Sequence, residues 1–232
     1  MVRSKGLRGW LRRLRGKTDD AERHQRFVEA LSQGFGPKTV IDVGVGHGTP
    51  WLYAAFPDSW HVLVEPVVEF REDIDGILEA YRGEHIGEAA SRQSETRLLN
   101  VEPRRRTRSS FLDRTELTRT GDQPERREIP CRPLDAMAAE RDWSDPLGLK
   151  VDVEGAELEV LRGAEQVLAR CQFVVVEASV AERFHAGTRL HELTGFLADR
   201  GFALDDLLHV AFTRHQTPRR PQRADLLFTP RD

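Results

Sequence analysis

The chain has 232 residues, 39% of them hydrophobic and 31% charged, enough for one soluble domain with a sizeable core. No apolar run approaches the ~18–20 residues of a membrane-spanning helix, and the N-terminus lacks the apolar stretch of a signal peptide. The two cysteines, Cys131 and Cys171, have neither metal-ligand spacing nor a disulfide framework, so a reducing, cytoplasmic setting is expected.

The net charge of −3 conceals an asymmetry, because residues 1–17 carry seven basic side chains and no acid, which leaves −10 for the rest. Leu7, Trp10, Leu11 and Leu14 share one helical face, a pattern that suits peripheral contact with an anionic membrane. Gly6, Gly9 and Gly16 weaken such a helix and favour a flexible leader over residues 1–18. Residues 19–232 are then the domain.

A helix carrying Phe27, Val28 and Leu31 follows and ends at Gly34 and Gly36-Pro37. Thr39–Val43 reads as a buried strand, Gly44–Gly48 as a glycine turn, Trp51–Phe56 as a short helix stopped by Pro57, and Trp60–Glu65 as a second strand. Residues 67–82 are expected to be helical, with Phe70, Ile74, Ile77, Leu78 and Tyr81 inward. Short strands are expected around Ile86–Ala89 and Thr96–Asn100. After the basic run Arg104–Arg108, residues 118–127 read as an exposed loop. A strand over Leu147–Val153, a helix over 155–169 and a strand over Phe173–Glu177 come next. A helix over Leu190–Arg200 and strands over Phe202–Asp205 and Ala224–Thr229 complete the pattern, the last two as an antiparallel hairpin around a loop from about Leu208 to Arg223. The alternation predicts an α/β fold, a parallel sheet with helices on both faces.

Two places carry chemistry. Asp42-Val43-Gly44-Val45-Gly46-His47-Gly48 joins a strand to a helix, and Glu65 ends the next strand 23 residues after Asp42. An acid there can accept ribose hydroxyls beside a glycine turn. Thr49 stands where a dinucleotide fingerprint needs its third glycine, which speaks against a nicotinamide-dependent oxidoreductase. The second place is the exit of the 147–153 strand, where Asp152, Glu154 and Glu157 crowd together. Buried carboxylates are costly unless partnered, and ligands bind at the carboxyl ends of strands in open α/β sheets. Asp152, Glu154 and Glu177 are therefore the candidate catalytic acids. Glu154 is equally suited to capping the following helix, and Glu157 to compensating its dipole. Asp152 with Glu177 could also hold Mg²⁺, which takes oxygen ligands. The run Arg104–Arg108 suits either a solvated loop or a grip on an anionic acceptor. The acidic body shows no basic-aromatic stripe, so nucleic acid is not an expected partner.

Residues 149–163 closely resemble the signature of the FkbM family of methyltransferases, K-[IV]-D-[VI]-E-G-[AF]-E. Val40–Gly44, Glu65-Pro66, Ser109-Ser110-Phe111, Leu134-Asp135, Val175–Glu177, Phe196-Leu197, Gly201-Phe202 and Asp225–Phe228 resemble the family's other blocks in order and spacing. One departure is Gly46, where the family usually has asparagine. The resemblance implies a Rossmann-like class I methyltransferase, with a seven-stranded, mostly parallel sheet and an antiparallel last strand. It implies S-adenosyl-L-methionine as cofactor, bound by Asp42, Gly44, Gly46, Gly48, Glu65 and Ser110. It also implies O-methylation of a small-molecule or saccharide acceptor. A binding module that keeps the fold without catalysis is the remaining alternative, and the three retained acids at 152, 154 and 177 speak against it.

Overall fold

The computed structural model describes residues 18–119, 121, 123–213 and 218–231, so the basic leader over 1–17 lies outside the described residues. The chain order is α1 (Thr18–Ser32), β1 (Thr39–Val43), α2 (Pro50–Ala55), β2 (Trp60–Val64), α3 (Arg71–Ala80), β3 (Gly83–Ile86), β4 (Ala89–Ala90), β5 (Glu95–Val101) and β6 (Glu125–Arg132). It continues with α4 (Leu134–Ala139), β7 (Leu147–Val151), α5 (Glu157–Arg162), α6 (Glu165–Leu168), β8 (Cys171–Ser179), α7 (Leu190–Ala198), β9 (Phe202–Phe212) and β10 (Pro221–Pro230). Two 3₁₀ turns, Val68–Phe70 and Arg106–Arg108, complete the set.

Seven strands form the main sheet in the order β3-β2-β1-β7-β8-β10-β9. Pairing is parallel from β3 through β8, and β10 enters antiparallel between β8 and β9. This is the expected sheet, with its last strand reversed. β1 and β7 are buried along their whole length, as central parallel strands must be. Side chains alternate between the faces. Ile41, Val43, Leu149 and Val151 pack with Leu134, Met137, Val160 and Leu193 on one face, whereas Val40, Leu63 and Val175 pack with Phe27, Leu52, Tyr53 and Ile74 on the other.

Several boundaries differ from expectation. The strand expected near Ile86–Ala89 is two strands: β3 joins the main sheet, and β4 starts a separate sheet ordered β4-β6-β5. β6 occupies the end of the segment expected to be loop, since Glu125, Arg126 and Arg127 are polar yet pair with β5. The expected helix over 155–169 breaks at Gly163. There a Cβ would come within 2.1 Å of the Ser91 carbonyl oxygen, so the chain packs backbone to backbone and restarts at α6. β9 continues to Phe212, much further than expected. Its register against β10 shifts three times, so its apolar residues lose the strict alternation of a strand. Among the described residues no helix is long and apolar enough to cross a membrane.

Candidate active site

A cleft of about 300 Å³ opens at the carboxyl ends of β1, β2, β7 and β8, the position the topology favours for a ligand. Its walls include the glycine turn from Gly44 to Gly48, Glu65, Lys150, Asp152, Glu154 and Glu177. Gly44 has φ +78°, and a Cβ there would lie 1.9 Å from the Asp152 carbonyl oxygen. Only glycine lets the turn pass this close to the exit of β7.

Beneath the turn, Asp42 and Lys150 are register partners on the adjacent strands β1 and β7. Both side chains are buried, and Lys150 Nζ lies 3.0 Å from Asp42 Oδ1. Nζ also donates to the Gly44 carbonyl at 3.0 Å and stands 3.9 Å from Asp152 Oδ2. Tyr53 donates its hydroxyl to Asp42 Oδ2 at 2.5 Å. Burial pulls the Lys150 pKa down, but the Asp42 and Asp152 carboxylates outweigh it and the net shift is upward. Asp42, expected to touch the cofactor, thus sits under the floor of the cleft and holds the turn from below. Lys150 was missed as a site residue because sequence does not reveal which residues of two distant strands lie side by side.

Glu65 does face the cleft. Its Oε2 accepts from the Gly46 amide and its Oε1 from the Val67 amide, each at 2.9 Å. Burial raises its pKa against the lowering effect of these two bonds. Ser110 is buried away from the cleft lining, where its hydroxyl donates to the Glu154 carbonyl at 2.7 Å. That bond holds a strained residue, because Glu154 has φ 53° in the left-handed region. Ser110, expected at the cofactor, thus supports the β7 exit, while Ser109 lines the cleft.

The four acids of the signature and β8 have separate environments. Glu154 Oε2 receives Arg114 at 3.1 Å and Arg183 at 2.5 Å. Glu177 receives Arg183 on Oε1 at 2.8 Å and Arg223 on Oε2. Both acids are buried and paired with guanidinium groups. None of the three arginines belongs to a motif, so sequence reading gave no signal for them. Glu157 is buried, accepts the Gly155 amide on Oε1 at 2.8 Å and leaves Oε2 unpaired. Desolvation, with Asp152 and Glu154 nearby, pushes its pKa up to about 7. Asp152 keeps 34% of its side chain exposed in the cleft. Its desolvated surroundings raise its pKa, Lys150 lowers it, and Glu154 and Asp225 add to the rise.

The Mg²⁺ expectation does not survive this arrangement. Glu177, one of its two ligands, has an arginine on each carboxylate oxygen. Among the described residues no group of three or more His, Cys, Asp or Glu side chains forms a metal cluster.

The reversed seven-stranded sheet, with a glycine turn and an acid-lined cleft at its carboxyl edge, defines a Rossmann-like domain of the class I methyltransferase kind. A model of the methyltransferase FkbM domain matches residues 27–204, and the chain belongs to that family. Among solved structures, a Klebsiella pneumoniae protein assigned to the O-methyltransferases aligns at 11% identity and TM-score 0.50, covering 100% of this chain and 90% of its own. An O-methyltransferase from Bacillus cereus in complex with SAH aligns at 12% identity and TM-score 0.49, with 98% and 90% covered. No curated protein sequence matches this chain.

Two predictions follow from the buried charges. Lys150→Met leaves Asp42 buried without its cation, and chemical denaturation should show a loss of about 3–5 kcal/mol. Adding Asp42→Asn should restore much of that loss, and a double variant as unstable as the single one would refute the pairing. For Glu157, a native pKa of about 7 above an unfolded value near 4.5 means that the native state holds its proton longer. Stability should therefore fall as pH rises from about 4.5 to 7, by roughly 3 kcal/mol from this group. Glu157→Gln should flatten that part of the stability–pH curve; an unchanged slope would refute the assignment.

Proposed function

We propose that the protein is an S-adenosyl-L-methionine-dependent methyltransferase that methylates a hydroxyl oxygen of a sugar or another small hydroxylated metabolite. The reading is carried by one observation: Asp152 is the least engaged acid of the cleft. Glu65 holds two amides, Glu154 and Glu177 hold arginines, and Asp225 faces His209 at 3.4 Å. Among the described residues Asp152 has a single ion-pair contact within 4 Å, with Lys150 at 3.9 Å, and the Arg223 charge acts on it from further away.

The residues present fit the cofactor. S-adenosyl-L-methionine supplies an activated methyl group on a sulfonium cation. In the cleft that would take it, Glu154 and Glu177 are held by arginines, which leaves acids at 65, 152 and 225 against Lys150 and Arg106, and an acidic lining favours a cation. Each Glu65 oxygen accepts one amide and has capacity for another donor, so the residue can take ribose hydroxyls. Val45, Val67, Phe70 and Leu99 give the apolar wall that a planar base requires.

On the acceptor side, Asp152 removes the hydroxyl proton as the oxygen attacks. Its raised pKa brings it nearer to neutrality, where a general base combines proton affinity with ionisation. Lys150 keeps the carboxylate oriented and steadies its charged form. Alignment of acceptor and donor supplies much of the remaining rate, up to ~7–11 kcal/mol in favourable cases.

Calorimetry should show S-adenosyl-L-methionine binding and none for NAD; the reverse result would overturn the proposal. With an acceptor identified by screening sugars and hydroxylated metabolites, Asp152→Asn should lower turnover roughly 10²–10⁴-fold. Its affinity for S-adenosylhomocysteine and its melting temperature should stay near those of the parent protein. Turnover near the parent value would demote Asp152 to a structural acid.

A further inference from the structure

We infer that Arg106 selects acceptors carrying an oxyanion, a carboxylate or a phosphate, and grips that group at the mouth of the cleft. This rests on the methyltransferase reading above and names the acceptor class of the same site.

Of the five residues 104–108, Arg106 and Thr107 line the cleft. Arg108 turns elsewhere and donates to the Thr118 carbonyl at 2.7 Å. The 3₁₀ turn that presents Arg106 is tightly closed. Its carbonyl accepts both the Ser109 amide at 3.0 Å and the Ser109 hydroxyl at 2.7 Å. The Ser109 oxygen in turn accepts the Glu102 amide at 3.3 Å. A backbone fixed by these bonds holds the start of the Arg106 side chain at the rim.

The far end of that side chain is free for a ligand. Arg106 uses only Nε, which donates to Glu69 Oε1 at 3.3 Å. Its two terminal nitrogens have no hydrogen-bond partner among the described residues, and 43% of the side chain is exposed. Glu69 does not need Arg106, because Arg127 already binds it with two bonds of 2.7 Å. These bonds, with the nearby Arg106 charge, hold the Glu69 carboxyl down at about 2. Glu69 therefore remains an anion already satisfied by another arginine, and it serves to anchor one edge of the Arg106 guanidinium. A guanidinium anchored at Nε with its terminal nitrogens open toward a cleft offers the planar two-pronged donor set that matches a carboxylate or phosphate. Inside the cleft Glu154 and Glu177 are paired with arginines and Lys150 is occupied by Asp42 and Gly44, so the less compensated charges there, on Glu65 and Asp152, are acidic. An anionic acceptor would be repelled there without a cation at the mouth, which makes Arg106 decisive for that class.

The turn packs against Gly46. A Cβ at Gly46 would lie 3.2 Å from Thr107 Cγ2, tighter than ordinary contact. The missing side chain leaves Thr107, the neighbour of Arg106, room against the glycine turn.

The test is a calorimetric titration of the full chain, with and without saturating S-adenosylhomocysteine, using glucuronate, glucose 6-phosphate and glucose as probes. Glucuronate, glucose 6-phosphate or both should bind at least tenfold more tightly than glucose, and their ranking separates a carboxylate from a phosphate acceptor. Arg106→Gln should abolish that advantage, losing about tenfold or more in anion affinity, while glucose affinity stays near that of the parent protein. Arg106→Lys should recover only part of it, because the charge remains and the planar fork does not. Anion binding equal in parent and Arg106→Gln proteins, or no preference of the parent for either anion over glucose, overturns the inference. Failure to bind S-adenosylhomocysteine overturns the methyltransferase reading instead, and the cofactor-free titrations still decide the role of Arg106.

Discussion

The site depends on one buried cation. Lys150 reaches from the last turn of β7 to the Asp42 carboxylate on β1 and to the Gly44 carbonyl in the turn above it. A lone charge in that position would be intolerable, since removing either ion from water costs several kcal/mol. The pair is tolerable because Tyr53 adds a hydrogen bond to Asp42 and Gly44 adds one to Lys150. The arrangement also determines geometry. The Asp152 amide donates to the Val43 carbonyl at 3.0 Å, and Gly44 passes against the Asp152 carbonyl, so the exits of β1 and β7 are tied at three levels. The turn expected to meet the cofactor and the acid expected to meet the acceptor are thus held together by the Lys150–Asp42 pair and the backbone contacts beside it.

Around that contact, environment divides the work among similar side chains. Two amides orient Glu65, two arginines neutralise Glu154, two more guanidinium contacts neutralise Glu177, and burial without a counter-ion keeps Glu157 near the neutral form. What remains with a partly open carboxylate is Asp152. The arginines have a second effect. Arg114 and Arg183 both lie over the Phe184 ring, at 4.6 and 5.2 Å, so the segment after β8 is drawn onto the strained Glu154–Gly155 corner. A left-handed glutamate survives there because its carbonyl and carboxylate are both held.

How much of this could be read from the chain depended on how local the cause was. β1, the glycine turn and β2 form within one stretch, and their apolar runs and glycines announce them. The placing of Asp152, Glu154 and Glu157 at a strand exit was likewise legible from Leu149, Val151 and the glycine that follows. Less legible was anything that required a distant partner. Gly163 breaks a helix because Ser91 occupies the space a side chain would need. β9 hides its strand pattern because it slips register against β10. Asp42 looked like a ligand-binding acid, since its spacing from Gly44 gives no hint of the cation on β7. The roles of Glu154 and Glu177 turned on Arg114, Arg183 and Arg223, which lie far from them in sequence or outside any recognisable pattern.

Gly46 shows how a departure from a family pattern can carry structural information. A glycine in place of the usual asparagine looks like a loss when the turn is considered alone, because a side-chain amide near the cofactor disappears. In the folded chain the vacated volume borders Thr107, next to Arg106 at the cleft mouth. The Gly46 amide meanwhile donates to Glu65, so the same residue orients the acid expected to bind ribose. Cofactor side and acceptor side meet at this one position. A side chain at 46 would press on the Thr107 methyl, which would have to give by a few tenths of an ångström, so the substitution that removes an amide also relieves the contact between the glycine turn and the segment that carries Arg106.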